Sequence, residues 1–95
     1  MYGTVAHLHV KPGMGSRLND LMKEYETLNV PGYIGTRVYR MDANANEYIL
    51  TVAFTSKETY FANANSPEQD ARYRQFRELL ESDPEWHDGE VIYNR

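Results

Sequence analysis

Side chains able to do chemistry are few in this sequence, and the first are two imidazoles, His7 and His9. On a strand, side chains repeat every second residue, so both rings face the same way. That spacing can hold a metal ion. No Asp or Glu of the same stretch joins them, and a partly exposed or interface pair is the simpler expectation. Tyr25 and Tyr73 place hydroxyls on otherwise apolar helical stripes, where a buried hydroxyl needs a partner. The same spacing also suits plain core packing. Asn63 carries an amide that could donate to a developing oxyanion, although its Asn-Ala-Asn-Ser setting equally suits a helix terminus. Arg37 and Arg72 could pair with an acidic ligand, but carboxylates near in sequence, such as Asp70, are the expected partners. Trp86 and His87 are expected to flank the last strand, with the indole plugging an edge. No Ser-His-Asp order, phosphate-binding glycine loop or paired-carboxylate site is discernible.

The stretch that must position these groups runs from Pro31 to Thr55. Gly32 to Met41 carries Tyr33, Ile34, Val38 and Tyr39, types that fit a pleated surface. Asp42 to Asn46 supplies turn chemistry. Glu47 to Thr55 alternates, with Tyr48, Leu50, Val52 and Phe54 on one face and Ile49, Thr51 and Ala53 on the other. Neither face is polar, so this strand needs cover on both sides. Before it, Tyr2 to Val10 reads as a strand with rows Thr4, Ala6, Leu8, Val10 and Val5, His7, His9. A helix is expected from Met14–Ser16 to Leu28, capped by Ser16, with the stripe Leu18, Leu21, Met22, Tyr25, Leu28. After the hairpin, Ser56 caps a short helix, Lys57 to Ala64. Ser66, Pro67 and Gln69 then mark a second start, with serine at the cap and proline at the first helical position. That helix is expected to reach about Leu80 with Tyr73, Phe76 and Leu80 inward, and a last strand to span Glu90 to Tyr93. The order β-α-β-β-α-β implies an α+β, ferredoxin-like domain, with helices on one face of a four-stranded antiparallel sheet. A binding cleft would lie between Ala6, Leu8 and the helices. The other sheet face is expected to meet a second copy of the chain.

Composition narrows the function classes. Residues 1–95 form one domain. With no cysteine there is no disulfide framework, thiolate nucleophile or Cys-based metal site. The net charge is -4, and Glu81, Asp83, Glu85, Asp88 and Glu90 crowd one segment. Such a surface repels phosphate backbones, so nucleic acid is not an expected partner. The longest apolar run, Tyr48 to Phe54, is too short to span a bilayer. Tyr2 already belongs to a strand pattern, and a cytoplasmic protein without a signal peptide is the expectation.

The opening YGTVAHLHVKPG, the PGYIGTRVYR strand, the YILTVAFTSKETY junction and the SPEQD helix start resemble the antibiotic biosynthesis monooxygenase family over nearly the whole chain. The resemblance implies a dimeric α+β barrel, with a cleft in each protomer between its sheet and helices. It implies, for some members, oxidation of polycyclic phenols by molecular oxygen without a cofactor. The substrate carbanion then reduces oxygen while the protein supplies a proton acceptor and hydrogen bonds to the oxyanion. A haem-degrading branch uses an asparagine, a tryptophan and a histidine ligand at positions that align with Ala6, Asn63 and Tyr73. All three identities differ here, and without the histidine the iron loses its proximal ligand. The expectation is therefore no cofactor and no metal, a small aromatic ligand, and a site lined by Asn63 and Tyr73 with Tyr25 as a further wall. The alternative is a non-catalytic dimeric binding or stress-related domain whose cleft its own side chains fill.

Overall fold

The inner row of the first strand sets the architecture. In a computed structural model describing residues 1–95, β1 (Tyr2–His9) buries Thr4, Ala6 and Leu8, and Val10 just beyond it, while Val5 and His7 stay exposed. This is the period-two alternation expected of a strand covered on one side. Its cover comes from α1 (Gly15–Tyr25), through Leu18 and Leu21, and from α3 (Pro67–Arg77), through Phe76. Leu79 and Leu80 complete the core from the turn after α3, where Leu80 bridges to Val10.

β1 pairs antiparallel with β3 (Glu47–Phe54) on one side and β4 (Glu85–Glu90) on the other. β2 (Tyr33–Arg40) pairs with the free edge of β3, with a register shift between Tyr33 and Gly35. The sheet order is β2-β3-β1-β4, the arrangement expected of the β-α-β-β-α-β pattern. The second crossover is split, with α2 (Lys57–Ala64) ahead of α3. Ser56 and Thr59 form a reciprocal capping box on α2, which satisfies backbone donors that would otherwise be orphaned. On α3, Ser66 Oγ accepts the Gln69 N–H at 3.1 Å.

Several expectations are corrected. α1 starts after Met14, which offers no side-chain cap, so Ser16 lies inside the helix, and α1 ends at Tyr25 with Leu28 partly exposed. α3 stops at Arg77 rather than near Leu80. The last strand is Glu85–Glu90, not Glu90–Tyr93, so Trp86 and His87 lie in it instead of flanking it. Ladder pairing explains the shift, because Glu90 already faces Tyr2 and the Val91 N–H reaches the Met1 carbonyl. Ile92 and Tyr93 are left exposed.

Tyr2, Phe54, Tyr60 and Phe61 pack edge-to-face or tilted, with ring centroids 5.1–5.7 Å apart. This cluster fastens α2 to the end of the sheet, adding to the apolar burial of each ring. No helix is long and apolar enough to cross a membrane.

Leu8 is among the largest fully buried side chains. Leu8→Ala should therefore cost about 2–5 kcal/mol of stability through lost burial and the cavity left behind. Denaturant unfolding of both proteins checks this, and a loss below about 1 kcal/mol would contradict the placement of the core.

Candidate functional site

The helical layer is filled at its centre and open at its ends. Ala6 and Leu8, expected to wall a cleft, are covered by Leu18, Leu21 and Phe76. One opening, of about 680 Å³, lies between the start of α1 and the β2–β3 hairpin. It is a groove with Leu18, Met22, Val38 and Tyr48 along it and Arg40, Asn19 and Asn46 at its rim.

Another opening, a cleft of about 350 Å³, is formed by the α1–β2 connection, α2 and the first turns of α3. Leu28, Val30, Pro31 and Ala62 give it apolar walls, and Thr59, Asn63, Ser66, Glu68 and Arg72 bring polar groups to it. Its geometry starts at Gly32, whose φ of +78° is open to glycine at little cost. The turn brings the Gly32 carbonyl to the Thr55 N–H at 2.8 Å and lays Gly32 against the Thr59 side chain. The loop and α2 are thereby held face to face.

Arg72 joins the pieces. Its Nη2 donates to Asn63 Oδ1 at 3.3 Å, and its Nε donates to Gln69 Oε1 at 3.1 Å. The Gln69 side chain thus turns to the guanidinium instead of back to the helix cap. From α1, the Tyr25 hydroxyl donates to the Arg72 carbonyl at 3.0 Å. Burial, foremost, raises the Tyr25 pKa against the opposing pull of the Arg72 charge, and Glu24 adds to the rise. The hydroxyl therefore stays protonated at neutral pH. With Asn63 Oδ1 facing Arg72, its Nδ2 makes no hydrogen bond within the protein and remains available to a ligand.

Asn63 and Tyr25 are thus brought together through Arg72, whereas Tyr73 turns elsewhere. The Tyr73 ring lies 6.5 Å from both Phe76 and Trp86, and neither Tyr73 nor Tyr25, expected as a further wall, lines either opening. Arg72 was expected to be taken by a carboxylate such as Asp70. Asp70 instead pairs with Arg74 at 2.9 Å. The walls at Leu28–Pro31 carry no sequence signal beyond an ordinary helix stop.

His7 lies on the open sheet face with its ring edge-on to His87 at 6.4 Å, while His9 Nδ1 is 3.8 Å from a Glu47 carboxylate oxygen. No group of three or more His, Cys, Asp or Glu side chains is arranged to hold a metal ion. Away from the cleft, Tyr60 donates to Asp88 at 2.8 Å. Burial, then the hydrogen bond to the Asp88 carboxylate, pushes the Tyr60 pKa up to about 12.

A four-stranded antiparallel sheet of this order, with helices on one face and a cleft at the end of that layer, defines a ferredoxin-like α+β domain. The sequence profile of the antibiotic biosynthesis monooxygenases matches residues 1–81, and the chain belongs to that family. No curated protein matches the sequence significantly. Among solved structures, it is similar to SnoaB, a cofactor-independent oxygenase from Streptomyces nogalater, seen as a variant with one asparagine changed to alanine. The TM-score is 0.83 at 13% identity, covering 98% of this chain and 94% of SnoaB. A protein of Bordetella bronchiseptica assigned to the antibiotic biosynthesis monooxygenases gives a TM-score of 0.82 at 16% identity, covering 97% of each chain. One of Chloroflexus aurantiacus, assigned likewise, gives 0.79 at 20% identity, covering 99% of this chain and 95% of that one. At these identities the likeness concerns the fold.

The Tyr60 pKa gives a signed prediction. A tyrosine whose folded pKa exceeds its ordinary value of 10.0 favours the folded state while protonated. That contribution is whole below pH 10 and is lost as pH rises toward about 12. The melting temperature should fall across this window, and the fall should be shallower in Tyr60→Phe. Equal slopes in the two proteins would remove the assignment.

Proposed function

We propose that the chain is a monooxygenase that oxidises a small aromatic, phenol-like compound with molecular oxygen and no bound cofactor. The observation that carries this reading is the unpartnered Asn63 Nδ2 beside an apolar-walled cleft of about 350 Å³, within the usual size range of ligand pockets. Family membership and the fold shared with a cofactor-independent oxygenase support it. In such a reaction the ionised phenol delocalises charge onto a ring carbon, and that carbon reduces oxygen. The peroxide so formed loses water and leaves a carbonyl. Asn63 Nδ2 would donate to the substrate oxygen as charge builds there, a fixed dipole aimed at the developing oxyanion. Tyr25 would hold Arg72, and through it the orientation of Asn63. Tyr73, packed against Phe76 and Trp86 away from the cleft, has no part in this proposal.

A second reading, a non-catalytic dimeric binding or stress-related domain, draws on the filled interior around Phe76. The two readings separate in one experiment. Anthrone-type phenols are incubated under air, with oxygen uptake and quinone absorbance followed. Wild type should turn over at least one of them, Asn63→Ala should lose roughly a hundredfold or more, and Tyr73→Phe should stay near wild type. Saturable binding without oxygen uptake by wild type would favour the second reading.

We also propose that a second copy covers the open sheet face, and that the protein works as a cytoplasmic homodimer. Val5 and Tyr39 are 45% and 49% exposed there, and Ile49 and Thr51 lie between them on β3. Ile49→Asp would bury an unpaired charge in that interface. Light scattering at micromolar concentration should find wild type dimeric and the variant monomeric or unfolded. A dimer unchanged by the substitution would place the interface elsewhere.

A further inference from the structure

We infer that Arg72 is an anion anchor, and that the cleft takes an aromatic ligand carrying an anionic oxygen, a ring carboxylate or an ionised phenol. The inference rests on the reading of this cleft as a ligand site and narrows what the site accepts. Ion pairs join Arg74 to Asp70 and Arg77 to Asp83, and Arg72 has none. It is nonetheless half-buried, and both of its side-chain hydrogen bonds go to neutral amide oxygens. Neutral amides fix the plane of a guanidinium without cancelling its charge. A half-buried cation so held lowers its free energy most by meeting an anion, and its planar fork suits a carboxylate.

The site is organised around that charge. Asn63 Oδ1 is spent on Arg72, so the polar groups this pair of lining residues has left are donors, Asn63 Nδ2 and the remaining guanidinium N–H groups. The walls, Leu28, Val30, Pro31 and Ala62, match an apolar ring beside the charged end. Glu68 is the carboxylate lining the cleft, one helical turn before Arg72, and it makes no ion pair with it. Its charge opposes an anionic ligand and should limit affinity.

Binding of 2-naphthoate, its neutral isostere 2-naphthamide and 2-naphthol is measured by calorimetry on the intact chain. Wild type should bind naphthoate about tenfold or more tightly than naphthamide at pH 7, the usual size of a charge-assisted hydrogen bond, or bind naphthol more tightly as pH rises and the phenol ionises. The first result assigns a carboxylate as occupant and the second a phenolate. Arg72→Gln should abolish the preference, Arg72→Lys should keep part of it, and Glu68→Gln should tighten anion binding a few-fold. Melting temperatures check that each variant folds, and the Tyr25 contact to the Arg72 backbone survives all of them. Equal binding of naphthoate and naphthamide with naphthol indifferent to pH would overturn the inference. So would a preference that survives Arg72→Gln, or no saturable binding of any probe. Arg72-dependent anion binding without oxygen uptake would leave the anchor standing and remove the monooxygenase reading. Turnover of a neutral phenol with no charge preference would do the reverse.

Discussion

One sheet face has to be sealed by very little helix. The inner row Thr4, Ala6, Leu8 and Val10 runs the length of the central strand and is wholly buried. The helices that cover it, α1 and α3, have 11 residues each, about 16 Å at the helical rise. Cover of that size closes the middle of the sheet, and α2 with its aromatic cluster covers the end at Tyr2 and Phe54. Leu18, Leu21 and Phe76 therefore meet over Ala6 and Leu8, while clefts remain at the hairpin end and at the α1–β2 connection.

The split crossover determines what that end can do. A continuous helix after β3 would run straight back over the sheet. Here α2 comes first, anchored by Tyr60 and Phe61 in the aromatic cluster, with Asn63 two residues beyond Phe61 and turned toward the cleft. The Ser66 hydroxyl donates to the Asn63 carbonyl at 2.9 Å while its oxygen caps α3. One serine thereby fixes the angle between the helix carrying Asn63 and the helix carrying Arg72. Tyr25 ties α1 to the same point. Groups from three helices converge through short bonds near their ends, and such bonds position side chains more firmly than a long loop would.

The sequence was legible where a local rule acts alone. Ser56, Ser66 and Pro67 cap in place because capping is decided within a few residues. The alternation of β1 and β3 was legible for the same reason. The start of α1 was not, because Met14 contributes no side chain to its cap and Ser16 imitates one. β4 was missed for a non-local reason. Val91, Ile92 and Tyr93 have the better strand composition, yet pairing with β1 selects Glu85–Glu90, with Trp86 opposite Ala6 and Asp88 opposite Thr4. Ladder register outweighs β-propensity at an edge strand. In the candidate site, Asn63 could be singled out from the sequence as an amide, but its orientation depends on Arg72, nine residues away on another helix.

The fate of Asp70 shows how proximity in sequence misleads on a helix. Asp70 and Arg72 are two residues apart, which places them on nearly opposite faces, whereas Asp70 and Arg74 are four apart and adjacent. The 2.9 Å pair between Asp70 and Arg74 is therefore the outcome that helical geometry requires, and both partners of it are exposed. On the other face, the candidate carboxylate for Arg72 is Glu68, four residues earlier, and it lies on the cleft without closing onto the guanidinium. Gln69 occupies Nε from one side and Asn63 occupies Nη2 from the other. With those two amides in place, the guanidinium is held still with its charge unspent. A cation that is half-buried, oriented and unneutralised beside an apolar-walled cleft is a poor device for stability alone, since a buried charge without its counter-ion costs free energy. It is a good device for receiving one.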